Sequence, residues 1–106
     1  MNLTISFSKN WNNKLDNQFF TTIRLYNKEK FDYYLLNIDK IFDVKLNGHN
    51  YSQVKLLKVE KFKFSDIPNG LKIIDAGPNY KDIFSKFDVN DSSDIIILTF
   101  ETINIK

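Results

Sequence analysis

The sequence predicts a single α+β domain: a small β-barrel of about five to six strands, with a short N-terminal helix and a helical insertion before the last strand. Three observations carry this. Several short segments alternate apolar and polar residues, the period of half-buried strands. An Asn-Gly pair stands between two of them, the signal of a tight hairpin. A later segment, Tyr80 to Phe87, repeats its apolar residues at i, i+3, i+4 and i+7, the period of a helix. With 106 residues the chain suffices for one core and not two, so residues 1–106 are expected to form one domain to which every motif belongs.

Leu3, Ile5 and Phe7 alternate with polar neighbours and predict the first strand. Ser8 or Asn10 can cap a short helix in which Trp11 and Leu15 share an inward face; Asp16-Asn17 ends it, Asn tolerating the left-handed conformation that helix ends often need. Phe20 to Leu25 is β-branched and aromatic, a second strand with Thr22 and Arg24 on the same side. From Tyr26 to Tyr34 the chain is polar, basic and aromatic with no clear period, which predicts a loop beside Arg24.

Phe42, Val44 and Leu46 lead into Asn47-Gly48-His49-Asn50, and Val54 and Leu56 resume the alternation, so a hairpin is expected. Beyond it the apolar parity slips to Leu57 and Val59 and returns at Phe62 and Phe64. Such slips are what β-bulges produce, and bulges bend sheets toward barrels. Ser65-Asp66 caps a short helical segment broken at Pro68-Asn69-Gly70, and Leu71 to Asp75 forms another ending at Ala76-Gly77. Asn79 and Asp82 make a start resembling a capping box for a helix that buries Tyr80, Ile83, Phe84 and Phe87. Asp88 to Asp94 is an acidic loop, and Ile96, Leu98 and Phe100 mark a closing strand to about Ile105.

Composition narrows the function classes. There is no cysteine, so disulfides and Cys-based zinc sites are excluded, and the cytoplasm is the expected compartment. The longest apolar run, Ile95 to Leu98, is far too short for a bilayer, and Met1-Asn2-Leu3-Thr4 lacks the pattern of a secretory signal. His49, the single histidine, falls at the hairpin tip with no partner for a metal, so neither metal nor cofactor is expected. Net charge is +2, compatible with a polyanionic partner. Fourteen of the basic residues are Lys and one is Arg, so Arg24 is the exception that needs a reason.

The element order resembles that of the ASCH family of PUA-like barrels, over nearly the whole chain. The resemblance rests on Phe7-Ser8-Lys9-x-Trp11, Lys14-Leu15, Thr21-Thr22-Ile23-Arg24, Phe64-Ser65-Asp66-Ile67-Pro68 and Ile74-Asp75-Ala76-Gly77, the last two looking like segments of small phage and prokaryotic members. The family signature is Gly-x-Lys-x-x-Glu-x-Arg, Thr often replacing Glu. Here its Gly falls at Asn17, its Lys at Phe19, its Glu or Thr at Thr22 and its Arg at Arg24. The resemblance implies a PUA-like fold that offers a basic cleft to RNA or a nucleotide.

Some members are similar to amidohydrolases acting on acylated cytidine through a Lys, a Thr and a downstream carboxylate. On this chain Thr22 matches the nucleophile and Asp75 the carboxylate, one methylene shorter. A Thr hydroxyl needs a neighbouring base to become a nucleophile, and Phe19 is none. The reading therefore leans away from an enzyme, unless Lys14 or Lys9 reaches the site from the neighbouring helix.

Binding asks less. A guanidinium grips a phosphate or a base edge with two parallel hydrogen bonds, a geometry Lys cannot reproduce. The expected ligand-binding set is Arg24, Thr22, Thr21, Lys14, Lys9 and Tyr26. Lys55, Lys61 and Lys63 share parity and extend the positive surface, with Phe31, Tyr33 and Tyr34 available for stacking. The competing reading of Arg24 is a structural ion pair with Asp75 or Asp43. Asp75 at the C-terminal end of its helix opposes the dipole, which itself asks for a specific partner. The function expected is RNA or nucleotide binding with no membrane partner. The alternatives are a small hydrolase on modified nucleosides or a ribonuclease, and an interaction protein of a mobile element acting against a host defence.

Overall fold

The computed structural model describes residues 3–105, and the side chains of residues 11, 12 and 105 lie outside what is described. The strands are β1 (Leu3–Phe7), β2 (Phe19–Leu25), β3 (Ile41–Leu46), β4 (His49–Lys63) and β5 (Asp94–Ile105). The helices are α1 (Lys28–Leu36), α2 (Asn69–Ala76) and α3 (Tyr80–Lys86), with 3-10 turns at Trp11–Asp16 and Phe64–Asp66. The chain is thus an α+β fold on one mixed five-stranded sheet.

The strands lie in the order β1-β3-β4-β5-β2. β1 runs parallel to β3, and the other pairs are antiparallel. The expected barrel is corrected here: no ladder joins β1 to β2 among the described residues, so the sheet is open. In a flat sheet those two edges would stand about 19 Å apart at the usual strand spacing. Here Arg24 on β2 donates from Nη2 to the Ser6 carbonyl on β1 at 3.0 Å, and the Phe7 and Phe20 rings meet with centroids 6.3 Å apart. The sheet is bent almost into a cylinder, and side chains close the seam in place of backbone.

The bending has a visible cause. β4 pairs with both neighbours, and its register shifts against β3 and twice against β5, the second time between Leu56 and Lys58. Leu57 is the extra residue, where the parity slip in the sequence placed a bulge. From Lys58 to Lys63 the register runs unbroken, so the second slip expected before Phe62 does not occur, and Phe62 stands exposed.

The bulge also redistributes charge. Leu56, Val59 and Lys61 pair with Phe100, Leu98 and Ile96, which share one face of β5, whereas Lys55 falls on the opposite face. The lysine stripe read from sequence parity is therefore split, with Lys61 and Lys63 on Val59's side alone.

At the hairpin tip Asn47 and Gly48 take φ of 51° and 83°, the pair of positive values that a type I′ turn needs. Expected Asn17 does not take this conformation: its φ is −83°, and the positive φ of that region falls at Asn13, at 57°. The 26–34 segment is no loop. Asn27 caps α1 by accepting from the Lys30 N–H at 3.2 Å, and the helix buries one aromatic, Tyr34, while Leu36 stays 79% exposed.

The core has two parts, one on each face of the sheet. Inside the curve, Ile5, Phe7, Leu15, Phe20, Tyr34, Phe42, Val44, Leu56, Leu98 and Phe100 pack together. On the outer face of β2 and β5, Ile23, Ile95 and Ile97 meet Phe64, Ala76, Phe84 and Val89 from the helical insertion. Of the α3 residues expected inside, Phe84 is buried and Ile83 and Tyr80 partly so, but Phe87 is 51% exposed. Asn79 makes no side-chain cap, so the expected capping box is not formed. The expected packing of Trp11 against Leu15 falls, for Trp11, outside the described residues.

Candidate ligand cleft at the open seam

Where the sheet fails to close, a cleft of about 290 Å³ opens, volume enough for a small ligand. β1 and the residue after it contribute Ser6, Phe7 and Ser8; β2 contributes Thr22 to Leu25; the first 3-10 turn contributes Lys14. Lys30 and Tyr34 come from α1, Asp75 and Ala76 from α2, Ile83 and Phe84 from α3, and Phe87 from the residue that ends it. β2 borders the cleft as a free edge, so side chains of both its faces reach it.

The floor carries a buried ion pair. Lys14 donates from Nζ to Asp75 Oδ1 at 2.9 Å, and their side chains are 4% and 5% exposed. Asp75 also accepts the Ile23 backbone N–H, so one carboxylate holds the ammonium and blunts the free edge of β2. This is the partner that its place at a helix end called for. Burial pushes the Lys14 ammonium below its ordinary value, opposed by Asp75. Burial likewise pushes the Asp75 carboxyl up, opposed by Lys14 and the Ile23 N–H. Each group is a desolvated charge held in place mainly by the other.

Arg24 is differently placed. Besides its bond to the Ser6 carbonyl, its guanidinium lies over the Phe7 ring with Cζ 4.9 Å from the centroid. Lys14 Nζ approaches the same ring at 5.5 Å, so one aromatic ring serves two cations. Arg24 Nε is buried and has no protein acceptor. Burial lowers the Arg24 pKa, with Tyr34 and Asp75 acting the other way. Asp75 is paired with Lys14, so the structural ion pair considered for Arg24 is replaced by a backbone carbonyl and an aromatic ring.

Of the residues expected at the site, Thr22, Arg24, Lys14 and Asp75 line this one cleft. Thr21 points to the other side of the edge strand and Lys9 is exposed outside the lining. Tyr26 also stays out, its ring 5.6 Å from Phe31 and under the Lys61 ammonium at 4.2 Å. Phe19, the position where the family signature has Lys, is 54% exposed and outside the lining. Lys14 arrives from the 3-10 turn instead. The sequence reading missed Phe87 and Lys30; Phe87 was assigned to the core by its helical period, and Lys30 was hidden in a segment read as loop. No group of His, Asp or Glu suited to a metal ion occurs among the described residues, and no described helix is long and apolar enough to cross a membrane.

A five-stranded mixed sheet with a helical insertion and, at its unclosed seam, a mostly apolar cleft carrying a few charged groups defines a class of small α+β domain. Within that class the fold is ASCH-like. The chain is similar to protein EF3133 of Enterococcus faecalis V583, described under the family model DUF984, with a TM-score of 0.68 and 9% identity, over 100% of this chain and 84% of that one. It is similar also to an ASCH domain from Lactobacillus crispatus JV V101, with a TM-score of 0.57 and 8% identity, over 88% of this chain and 69% of that one. No family model and no curated protein matches the sequence.

Proposed function

We propose that the chain is an RNA- or nucleotide-binding module that takes its ligand in the cleft beside Thr22 and Arg24. The observation that carries this is the state of Arg24: a half-buried guanidinium at a cleft wall, with its buried Nε lacking a protein acceptor and no carboxylate of its own. A buried donor left unmet costs about 1–3 kcal/mol, and an acceptor on a ligand removes that cost. Another part of the lining, Ile83, Phe84 and Phe87, is apolar and aromatic, which suits the face of a base. An ASCH-like fold is consistent with an RNA-binding superfamily.

The test is Arg24→Lys, which keeps the charge and removes the fork. Wild type should bind single-stranded RNA or nucleotides at low salt, and the variant should fold and bind about tenfold more weakly, the loss of one hydrogen bond to a charged group. Equal binding by the two proteins would remove Arg24 from the site.

One observation favours a second reading, hydrolysis of a modified nucleoside. Lys14 lines the cleft with Thr22 and Asp75, and burial lowers its pKa toward the neutral amine that a base must be. Turnover of acylated cytidine that Thr22→Ala abolishes would support this reading; turnover that survives the substitution, or none at all, would end it.

A further inference from the structure

The lining of the cleft grades from buried to exposed. Lys14, Thr22, Asp75, Ala76 and Phe84 are at most 5% exposed, whereas Leu25 and Phe87 are 41% and 51% exposed, and Ser6, Ser8 and Lys30 are exposed as well. The exposed lining residues, Lys30 and Phe87 among them, are the part that solvent reaches, and the ion pair is the most enclosed part. The volume of about 290 Å³ lies at the low end for small-molecule sites and holds one nucleotide unit rather than several.

The charges on the lining differ in whether they are paired. Lys14 and Asp75 cancel at the floor. Arg24 and Lys30 lie on the same lining, and neither is in an ion pair with a carboxylate among the described residues. Lys28, two residues earlier on α1, is by contrast taken by Asp32 at 2.9 Å. Only two residues, Tyr26 and Asn27, separate β2 from α1; Lys30 stands one helical turn before Tyr34 and lines the cleft with it, and Tyr34 is near enough to Arg24 to act on its charge. Two cations without carboxylate partners on the lining of one small cleft match a phosphate monoester, which carries about −1.5 to −2 at neutral pH and offers three acceptor oxygens. A diester linkage inside a strand carries a single charge.

Building on the nucleotide reading above, we propose that the cleft takes one mononucleotide, free or terminal, with its phosphate monoester between Arg24 and Lys30 and its base against the Ile83, Phe84 and Phe87 wall. The 5′-monophosphates of the four ribonucleosides, the four free nucleosides and a trinucleotide without terminal phosphates are titrated by calorimetry at low salt. At least one monophosphate should bind at least tenfold more tightly than its nucleoside and more tightly than the trinucleotide. Lys30→Ala should erase most of that difference, while Lys81→Ala, an exposed lysine outside the cleft, should preserve it. Equal affinity for nucleoside and monophosphate would overturn the phosphate site and leave the nucleotide reading standing. Tighter binding of the trinucleotide than of every monophosphate would overturn the single-unit ligand in favour of a strand. Binding of none of the three would overturn this proposal together with the reading it rests on.

Discussion

Lys14 and Asp75 show how much one buried pair constrains. Removing either partner leaves the other as an uncompensated charge, which costs about 3–5 kcal/mol, whereas replacing both by apolar groups of similar size is often neutral or stabilising. Lys14→Met and Asp75→Leu should therefore each lower the urea midpoint strongly, and the double variant should recover most of the loss. The pair also fixes the sign of a pH effect. Between the lowered folded value of Lys14 and its ordinary 10.5, the unfolded chain holds more protons, so stability rises with pH across that window. Between the ordinary 3.8 of Asp75 and its raised folded value, the folded chain holds the extra proton, so stability falls as pH rises. Urea midpoints measured relative to the double variant should show both slopes; opposite slopes would contradict the burial that drives them. Phe87 belongs to the same scale. Being half exposed, it can be cut to Ala with a stability change under about 1 kcal/mol, yet nucleotide affinity should fall about tenfold, as loss of one stacking face does.

Among the elements, the short-period ones were legible and the long-range ones were not. Alternation placed Thr22 and Arg24 on one side of β2, and the parity slip at Leu57 marked a real bulge, because both are local consequences of strand geometry. What that bulge does to Lys55 relative to Lys61 depends on which strand β4 pairs with, and no local pattern states it. α1 escaped notice because its apolar residues are interleaved with charges, although Asn27 three residues before Lys30 was a readable cap. Lys14 was within view as a candidate, but its partner lies 61 residues away, and only folding joins them. The hairpin offers a direct check. Gly48 has φ of 83° and open space where a Cβ would stand, so Gly48→Ala meets no clash and costs only the left-handed conformation, about 1–2 kcal/mol. A neutral effect on the urea midpoint would argue against the type I′ turn.

For the whole molecule, the decisive feature is that the sheet bends far enough to bring its edges together and then leaves them unpaired. A closed barrel would have used the β2 edge for hydrogen bonds to β1. Here that edge is met by Asp75, and the gap is spanned by Arg24 and lined by three helices and a 3-10 turn. The barrel was expected because bulges bend sheets, but bending and closure are separate events, and strand sequences do not say which edges pair. Openness places a half-buried cation with an unmet donor on a lining that is mostly apolar, and that juxtaposition is the whole basis for assigning a binding role to a fold that by itself implies none. Its most direct test is an amide chemical-shift map of the wild-type protein titrated at low salt with ribonucleoside 5′-monophosphates and short RNA. The account predicts saturable shifts concentrated at Ser6–Ser8, Lys14, Thr22–Leu25, Ala76 and Phe84–Val89. Shifts confined to the Lys61 and Lys63 end of β4, or no shifts at all, would contradict it.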